Sequence, residues 1–494
     1  MIQKPNLVYP LTPSYNTRGV AAYTNAAAGT DQRKINCYYE FVRGAGGNIT
    51  NYLSKRPGVS INAGTFGANT QVGFLIVTAP TLFSLNDPWA IVKDGTAIKA
   101  VSSAAATTIL TSADYNPFYA DRTDVSGTET VVVQLCNNTT ITAVQRVYYS
   151  SSIGTWTEIT DGDFTSIVHR GKMEFMDGYA FVLGADRRIY QSDLNSLSSW
   201  TSGNYITKSI TQDVALGLAR FKNQLLAFGE DTCEVFYNAG NASGSILGRS
   251  PTQHRSVGLG QIAVPQTDTG RTHYYTIIGE RMYILARAPY GAFVNQLWAY
   301  DGARFEKVST SIEDKLLSQG GVYSINKVNF AGQQAVAIQM TAPSATTQKW
   351  LMFFPENGGW FEWSSAKYGP VNNGYWFLGC GSSHKLYNFP QSDIYQDDTT
   401  NYEMQVAFTL PKDHDEFETM DACGVISDNA SATANLAVSF SDNDYVSFTT
   451  ARNIDISLAR KAFNRCGTYR KRAVKLSYTG SSAVRLQKFY AVIR

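Results

Sequence analysis

Short apolar or alternating runs recur along the chain, and glycine, asparagine or aspartate bounds most of them. Runs of this length and pattern are typical of β-strands rather than of helices. Their regular recurrence predicts a repeated structural unit. Seven of these runs start about 40 to 60 residues apart: Phe74–Val77, Val131–Leu135, Tyr179–Leu183, Leu225–Phe228, Arg281–Leu285, Ala335–Ile338 and Tyr375–Leu378.

Several of these runs are followed by a second strand, a turn and an aromatic residue, as at Trp200, Phe305 and Trp360. This recurring order is typical of the blades of a β-propeller. One four-stranded sheet cannot bury both of its faces alone, so such sheets stack around an axis and aromatic side chains fill the wedges between them. The pattern therefore predicts an all-β chain with a six- or seven-bladed β-propeller-like domain. Stacked sandwiches with accidental spacing are the alternative.

The pattern changes at both ends of the chain. Beyond Thr400, alternating runs continue without the repeated unit, at Glu403–Leu410, Ala434–Phe440, Val446–Thr450, Arg472–Tyr478 and Val484–Ile493. We therefore predict an N-terminal arm and first strand over residues 1–60, a propeller over 61–399 and a β-sandwich over 400–494. Two short helices are predicted, at Ser311–Leu317 and Ser457–Phe463.

Composition agrees with a strand-rich fold. The 494 residues are 44% hydrophobic and only 17% charged, with many glycines and tyrosines. This balance suits strands joined by tight turns. The six cysteines stand singly at 37, 136, 233, 380, 423 and 466 and never form a Cys-x-x-Cys pair. We expect isolated buried thiols rather than a disulfide framework.

Charge is distributed unevenly along the chain. Residues 452–494 hold eleven Lys/Arg and one acidic residue, a balance of +10, which leaves −8 for the rest because the chain's net charge is +2. Such a segment can face phosphate groups or an acidic protein partner. Ordinary outward-facing strand positions are an equally good interpretation. The candidate partner-facing or DNA-facing residues are Arg460, Lys461, Arg465, Arg470, Lys471 and Arg472.

No pattern in the sequence predicts a catalytic, cofactor or metal site. The five histidines are scattered, and the glycine pattern at Gly258–Ala263 lacks a preceding buried strand and is followed by Pro265. The turns around Trp156 and Trp200 resemble the Asp-box hairpins of sialidase propellers, which keeps a glycosidase or a lectin acting on surface glycans as an alternative. The longest apolar run, from Val72 to Val77 and onward, is broken by Pro80 and is too short to span a membrane, so no membrane-spanning segment is predicted.

Two N-terminal stretches resemble a known family. Asp31–Glu40 is a strand rich in Asn and Tyr, and Tyr52–Val59 contains a Leu-x-x-Arg-Pro-Gly turn. Together they are similar to the opening of the tail hub, or packaged-DNA stabilisation, proteins of short-tailed bacteriophages. Gly217–Tyr237, Ser256–Gly260 and the last forty residues follow in the order seen in that family. The motif residues on which the resemblance rests are Arg33, Asn36, Tyr38, Pro57 and Gly58.

The resemblance implies a structural, non-enzymatic virion protein with no cofactor. A homohexameric ring, or nozzle, would continue the channel of the portal and the head-to-tail adaptor protein. It would carry a tailspike or tail fibre and hold a tail needle or plug. Packaged double-stranded DNA would be retained by the ring and would pass through it during ejection. The resemblance implies assembly in the host cytoplasm and a final location in the virion tail.

Overall fold

The structure is a computed structural model of the chain. It describes residues 7–12, 33–43, 49–63, 70–77, 89–101, 106–137, 145–152, 154–250, 257–259, 274–287, 294–319, 322, 324–330, 332–341, 346–366, 368–370, 376–379, 385–389, 394–410, 416–430 and 433–494. Strands dominate this part of the chain, and its two helices are short, α1 (Gly162–Thr165) and α2 (Ser311–Gln319). The helix expected at Ser311–Leu317 is therefore confirmed.

Five strands precede the repeated part of the chain: β1 (Leu7–Pro10), β2 (Arg33–Ile35), β3 (Cys37–Arg43), β4 (Ile49–Lys55) and β5 (Ser60–Ala63). After them, the described residues form seven antiparallel units of four strands each. The first two units comprise β6 (Thr70–Val77), β7 (Trp89–Asp94), β8 (Ala97–Val101) and β9 (Ala106–Thr111), then β10 (Tyr115–Val125), β11 (Thr128–Asn137), β12 (Gln145–Ser152) and β13 (Thr155–Glu158).

The next three units repeat the same order of neighbouring antiparallel strands. The third comprises β14 (His169–Met176), β15 (Tyr179–Gly184), β16 (Arg188–Ser192) and β17 (Trp200–Thr207). The fourth comprises β18 (Ala215–Phe221), β19 (Gln224–Gly229), β20 (Cys233–Asn238) and β21 (Leu247–Arg249). The fifth comprises β22 (Tyr275–Ile278), β23 (Arg281–Arg287), β24 (Asn295–Tyr300) and β25 (Phe305–Lys307).

The last two units connect the repeat to the rest of the chain. The sixth comprises β26 (Ser324–Phe330), β27 (Gln333–Gln339), β28 (Gln348–Phe354) and β29 (Gly359–Ser365). The seventh has β30 (Tyr368–Pro370), β31 (Trp376–Gly379) and β32 (Leu386–Asn388), and its fourth strand is β5 from the N-terminal part, which pairs with β32. Strand β5 thus precedes the first unit in sequence and completes the last one, which is the strand exchange that closes the ring of a β-propeller.

Most of the apolar runs that mark the repeat are the second strand of a unit. Units two to seven have them at β11, β15, β19, β23, β27 and β31. A second strand has a neighbour on each side and packed units on both faces, so it carries a continuous apolar run. The first unit differs, because the run at Phe74–Val77 belongs to its first strand and its second strand carries the buried Ala90, Ile91 and Val92. First strands of neighbouring units pack together, for example β6 with β10 and β14 with β18.

The remaining strands form a sandwich with the N-terminal ones. They are β33 (Met404–Thr409), β34 (Glu418–Ser427), β35 (Asn435–Ser441), β36 (Arg452–Asp455), β37 (Ala462–Tyr469), β38 (Ala473–Tyr478) and β39 (Arg485–Ile493). One sheet has the order β3-β4-β39-β34-β37, with β1 also paired to β39. The other runs β2-β33-β38-β35-β36. A single core lies between the sheets and includes Leu53, Phe408, Val438 and Phe489.

The sandwich and the sixth propeller unit share one sheet of nine strands. Strand β2 pairs in parallel with β29 at Ile35 and Glu362, and antiparallel with β33 on its other side. The hydrogen-bonded ladder thus continues from β26 to β36 through both parts of the molecule. Strand β2 therefore links the two parts of the molecule by backbone pairing on both of its sides.

Two expectations from the sequence differ from the structure. The described strands of residues 1–60, expected as an arm and a first strand, lie inside the sandwich or complete the propeller, because their apolar faces are buried against strands that are distant in sequence. Near the C-terminus, Val446–Thr450 forms no strand, and the helix expected at Ser457–Phe463 is a turn followed by β37. There, ladder bonds between β37 and β34 outweigh a weak local helical preference.

Candidate functional site

The motif that carries the family resemblance lies where the propeller meets the sandwich. Arg56, in the Leu-x-x-Arg-Pro-Gly turn, is 0% exposed at its side chain and forms a two-pronged ion pair with Asp397 at 2.6 and 2.9 Å. Its remaining N–H groups donate to Asn36 Oδ1 and to the carbonyls of Pro57 and Ser364. All five guanidinium donors are therefore satisfied inside the protein. We call this group, with Lys55 and Tyr402, the Arg56 junction.

Asn36 fixes the geometry of the Arg56 junction. It sits between β2 and β3 with φ of 54°, a left-handed conformation that asparagine tolerates better than most residues. Its Oδ1 accepts from Arg56 Nε at 3.1 Å and from the Ser364 amide at 2.8 Å. Its Nδ2 donates to the Glu403 carbonyl at 2.8 Å. One side chain thus connects β29 of the propeller with the segment that enters β33 of the sandwich.

Gly58 lets the segment after Arg56 pass closely against residues 394–397. Its amide donates to the Ile394 carbonyl at 2.7 Å. A Cβ at this position would lie 1.9 Å from the carbonyl oxygen of Gln396, far inside any allowed contact. A glycine is therefore required by the close approach of two backbones. Of the other motif residues, Tyr38 is buried in the sandwich core and Arg33 is exposed at the start of β2.

Lys55 adds a second cation to the Arg56 junction. Its side chain is buried, and its Nζ donates to the carbonyls of Tyr395 and Gly480 and lies 4.2 Å from the centroid of the Tyr402 ring. Burial lowers the pKa of Lys55 to about 7, nearby Arg56 acts in the same direction, and Asp397 opposes them. A cavity of about 350 Å³ beside the junction is lined in part by Thr400 and Gln405.

The six basic candidates from the C-terminal segment divide into two groups. Lys461 and Arg472 are buried and are used within the sandwich. Lys461 Nζ donates to the Ser427 carbonyl at 2.6 Å. Arg472 pairs with both carboxylate oxygens of Asp442 at 2.7 Å, donates to the Cys466 carbonyl, and lies between two aromatic rings. These two residues are structural and not available to a partner.

The other four basic candidates are exposed. Arg460, Arg465 and Arg470 lie on the surface of the sandwich. Lys471 is also exposed, and its Nζ lies 2.6 Å from Asp444. Arg452, on the edge strand β36 of one sheet, donates a hydrogen bond to the carbonyl of Arg465 on the edge strand β37 of the other sheet. The surface available for an anionic partner is therefore smaller than the sequence suggests, since Lys461 and Arg472 are withdrawn from it.

Neighbouring Arg472 and Lys471 should differ sharply in their contribution to stability. Replacing Arg472 with Met keeps the aliphatic stem but removes charge-assisted hydrogen bonds, so we expect the free energy of unfolding to fall by about 2 kcal/mol. Replacing Lys471 with Met removes one exposed ion pair and should cost less than about 1 kcal/mol. Urea unfolding of both variants measures this. Equal effects would contradict the structural role of Arg472.

The structure shows a second polar cluster that the sequence did not reveal. Tyr119 and Asp121 on β10, Lys172 and Glu174 on β14, and Tyr275 on β22 meet although they belong to three different units. Lys172 Nζ lies 3.1 Å from Glu174 Oε1, and the Tyr275 hydroxyl donates to that oxygen at 2.7 Å. We call this group the axial cluster, because the first strands of separate propeller units converge only near the axis.

The axial cluster places a carboxylate in a desolvated environment. Burial raises the pKa of Glu174, while the ammonium of Lys172 and the hydroxyl of Tyr275 oppose the shift. A cavity of about 350 Å³ adjoins Glu174 and is also lined by Asp121, Asp124, Glu129 and Arg220. Charged residues at alternate positions in a strand, such as Lys172 and Glu174, are the one sequence signal that could have pointed to this cluster.

Other kinds of site find no support in the described residues. Within the ranges that the structure covers, no three histidine, cysteine or acidic side chains are grouped so as to hold a metal ion. None of the helices described is long and apolar enough to cross a membrane. Several residues quoted for the sequence patterns lie outside the described ranges: Asp31, Gln32, Ser256, Gly260 and Cys380.

Comparison with known proteins gives no family. No protein-family model and no curated protein sequence matches the chain. Among solved structures, it is similar to a chain in the crystal structure of BBS1N in complex with ARL6DN, soaked with lead, at 9% identity over 68% of this chain and 98% of that chain, with a TM-score of 0.43. It is also similar to BamB from Moraxella catarrhalis at 10% identity over 64% of this chain and 96% of that chain, with a TM-score of 0.33.

Proposed function

We propose that this chain is the tail hub, or nozzle, of a short-tailed bacteriophage: a structural virion protein without enzymatic activity. A homohexameric ring of such chains would extend the channel formed by the portal and the head-to-tail adaptor protein. It would retain packaged DNA, anchor a tailspike or tail fibre, and hold a needle or plug until ejection. Its action would be mechanical.

The location of the resembling segment carries this proposal. Asn36, Pro57 and Gly58, on which the resemblance rests, belong to or adjoin the contacts that join the propeller to the sandwich. A ring that withstands the pressure of packaged DNA needs subunits whose two parts do not hinge. The buried Arg56–Asp397 pair and the nine-stranded sheet both lie at the junction of those two parts.

The charge distribution supports a surface for an acidic partner or for DNA. Arg460, Arg465 and Arg470 are exposed, and the segment that contains them is the basic part of an otherwise acidic chain. Exposed charges that act across an interface are screened by salt, with a Debye length of about 8 Å at physiological ionic strength. Assembly through this surface should therefore weaken as salt increases.

A ring assembly test follows from the proposal. The purified chain, alone and mixed with its adaptor protein, should form rings visible by negative-stain electron microscopy and by mass photometry. Changing Arg460, Arg465 and Arg470 together to Ser should reduce ring formation or adaptor binding at low salt and should flatten the salt dependence, because the screened attraction has been removed. Phage that carry this variant should also retain their genome less well.

A matched control uses three exposed arginines of the propeller. The side chains of Arg188, Arg281 and Arg304 are 43%, 47% and 75% exposed, and all three lie in the propeller, so the same triple change to Ser does not touch the sandwich. We expect that control to assemble like the wild-type chain. A protein that stays monomeric with its adaptor under all salt conditions would overturn the tail-hub proposal.

A second candidate, a glycan-binding or glycan-cleaving propeller, is favoured only by the cavity at the axial cluster. Glu174 and Asp121 border that cavity, and a pair of carboxylates is what most glycosidases use. The charge of Glu174 is already engaged by Lys172 and Tyr275, which disfavours a free catalytic acid. Turnover in a glycosidase screen that Glu174→Gln abolishes would replace the structural proposal with this one.

A further inference from the structure

Two cysteines that are distant in sequence lie side by side in the sandwich. Cys423 on β34 and Cys466 on β37 have their Sγ atoms 3.6 Å apart. Cys423 is 0% exposed and Cys466 is 8% exposed. Because the S–S bond of a disulfide measures about 2.05 Å, the two sulfurs need to approach by only about 1.6 Å to bond. The five described cysteines are free and buried as the sequence predicted, but these two are not isolated.

A β-bulge brings the two thiols together. Met420 pairs with Gly467 and Ala422 pairs with Asn464, so Arg465 and Cys466 both stand opposite the single residue between Met420 and Ala422. Arg465 has φ of 62°, which marks the kink in β37. A bulge redirects the side chains of the strand that carries the extra residue. Arg472 holds the bulge in place, since its Nη1 donates to the Cys466 carbonyl at 2.7 Å.

The surroundings of the pair shift the pKa values of the two thiols in opposite directions. The pKa of Cys466 is lowered, first by its hydrogen bond with Cys423 and then by the guanidinium groups of Arg452 and Arg472. The pKa of Cys423 is raised by the same hydrogen bond and by burial. The thiolate is the reactive form of cysteine. Cys466 is also the more exposed of the two residues, so an oxidant reaches it first and Cys423 is the resolving thiol.

We propose that Cys423 and Cys466 are a latent disulfide site, reduced in a reducing cytoplasm and closed by a small thiol oxidant outside it. With the azo compound diamide as oxidant, the Cys466 thiolate adds to one nitrogen of the N=N bond and the other nitrogen takes up a proton. The Cys423 sulfur then attacks the Cys466 sulfur, and the S–N bond breaks. The two thiols lose two protons and two electrons in all, and the azo group takes up both to become a hydrazine.

Closing this disulfide would fasten an edge of the sandwich. Among the strands that the structure describes, β37 is the last of its sheet and pairs there with β34 alone. A bond between these strands closes a long loop of chain, which restricts the unfolded state more than the folded state. Cys466 directly follows the exposed Arg465 in β37, so the bond would also restrict the backbone that carries this arginine. This inference does not depend on the tail-hub proposal.

The site is tested with the full-length reduced protein. It would be treated with diamide and then unfolded, after which the remaining thiols are alkylated and counted. We expect two of the six thiols per chain to be lost, a cross-linked pair of peptides containing residues 423 and 466 in the mass spectrum, and a higher Tm that dithiothreitol reverses. Cys136 is the matched control, because it is similarly buried and burial raises its pKa to about 11.

Two variants distinguish disulfide formation at this site from general oxidation of the cysteines. Cys466→Ser should lose no thiols under the same treatment, whereas Cys136→Ser should lose the same two as the wild-type chain. If Cys466→Ser fails to fold, the wild-type peptide map and the reversal by dithiothreitol decide the question on their own. Retention of all six thiols in the wild-type chain, or a cross-link between other cysteines, would overturn the proposal.

Discussion

Replacing Asp397 with Asn should lower the free energy of unfolding by about 3–5 kcal/mol, the usual cost of leaving one partner of a buried ion pair uncompensated. Asp397 is 3% exposed at its side chain and accepts two hydrogen bonds from Arg56 and one from Ser365. The amide keeps the shape but removes the negative charge, so the guanidinium of Arg56 remains buried beside the equally buried Lys55. Urea unfolding followed by tryptophan fluorescence measures the change.

The ion pair of Arg281 and Glu306 is the matched control. Its side chains are 47% and 58% exposed, and the charged atoms are 3.4 Å apart. Glu306→Gln should change stability by less than about 1 kcal/mol, because exposed pairs contribute little. If Asp397→Asn proves no more destabilising than Glu306→Gln, the Arg56 junction does not hold the two parts of the molecule together.

Gly58→Ala should destabilise the protein by about 3 kcal/mol, the upper end of the usual cost of overpacking. The added Cβ would stand 1.9 Å from the Gln396 oxygen and 2.5 Å from its carbonyl carbon. Both atoms are backbone, so no side-chain rotation relieves the clash. The segment around Gln396 must move, and the bonds from Gly58 to Ile394 and from Arg56 to Asp397 must lengthen with it. Thermal and urea unfolding both report this change.

Gly203→Ala is the control for the effects that any glycine-to-alanine change has on the unfolded chain and on strand preference. Gly203 lies in β17, and a Cβ there would meet nothing within 4 Å. Alanine at an open strand position of this kind should be neutral or slightly stabilising, since it restricts the unfolded chain. A Gly58→Ala protein as stable as the Gly203→Ala protein would show that the two backbones are not in close contact at Gln396.

Together these variants test whether a firm connection between the propeller and the sandwich is needed for ring assembly. If Asp397→Asn or Gly58→Ala loosens the connection between propeller and sandwich without unfolding either part, ring assembly should fail while both parts keep their secondary structure. Circular dichroism with electron microscopy distinguishes that outcome from global unfolding.

The sequence by itself determined the strand content and the repeat. Continuous apolar runs such as Val131–Leu135 and Ala335–Ile338 identify the second strand of a unit, because that strand is buried by its neighbours whatever their identity. The helix at Ser311 was equally readable, since its signals are local. The apolar runs reflect which faces of a strand are buried, and the helix signals come from residues that are close together in the chain.

Only the tertiary structure decided how these elements are joined and which charged side chains are exposed. Arg56 and Asp397 are 341 residues apart, and β5 completes a unit whose other strands come more than 300 residues later. Arg472 is buried against Asp442 whereas Arg470 is exposed, although both lie between β37 and β38, and the contact of Cys423 with Cys466 depends on a bulge. Local patterns specify which positions are apolar, whereas pairing between distant segments is selected by the burial and hydrogen bonding of the whole molecule.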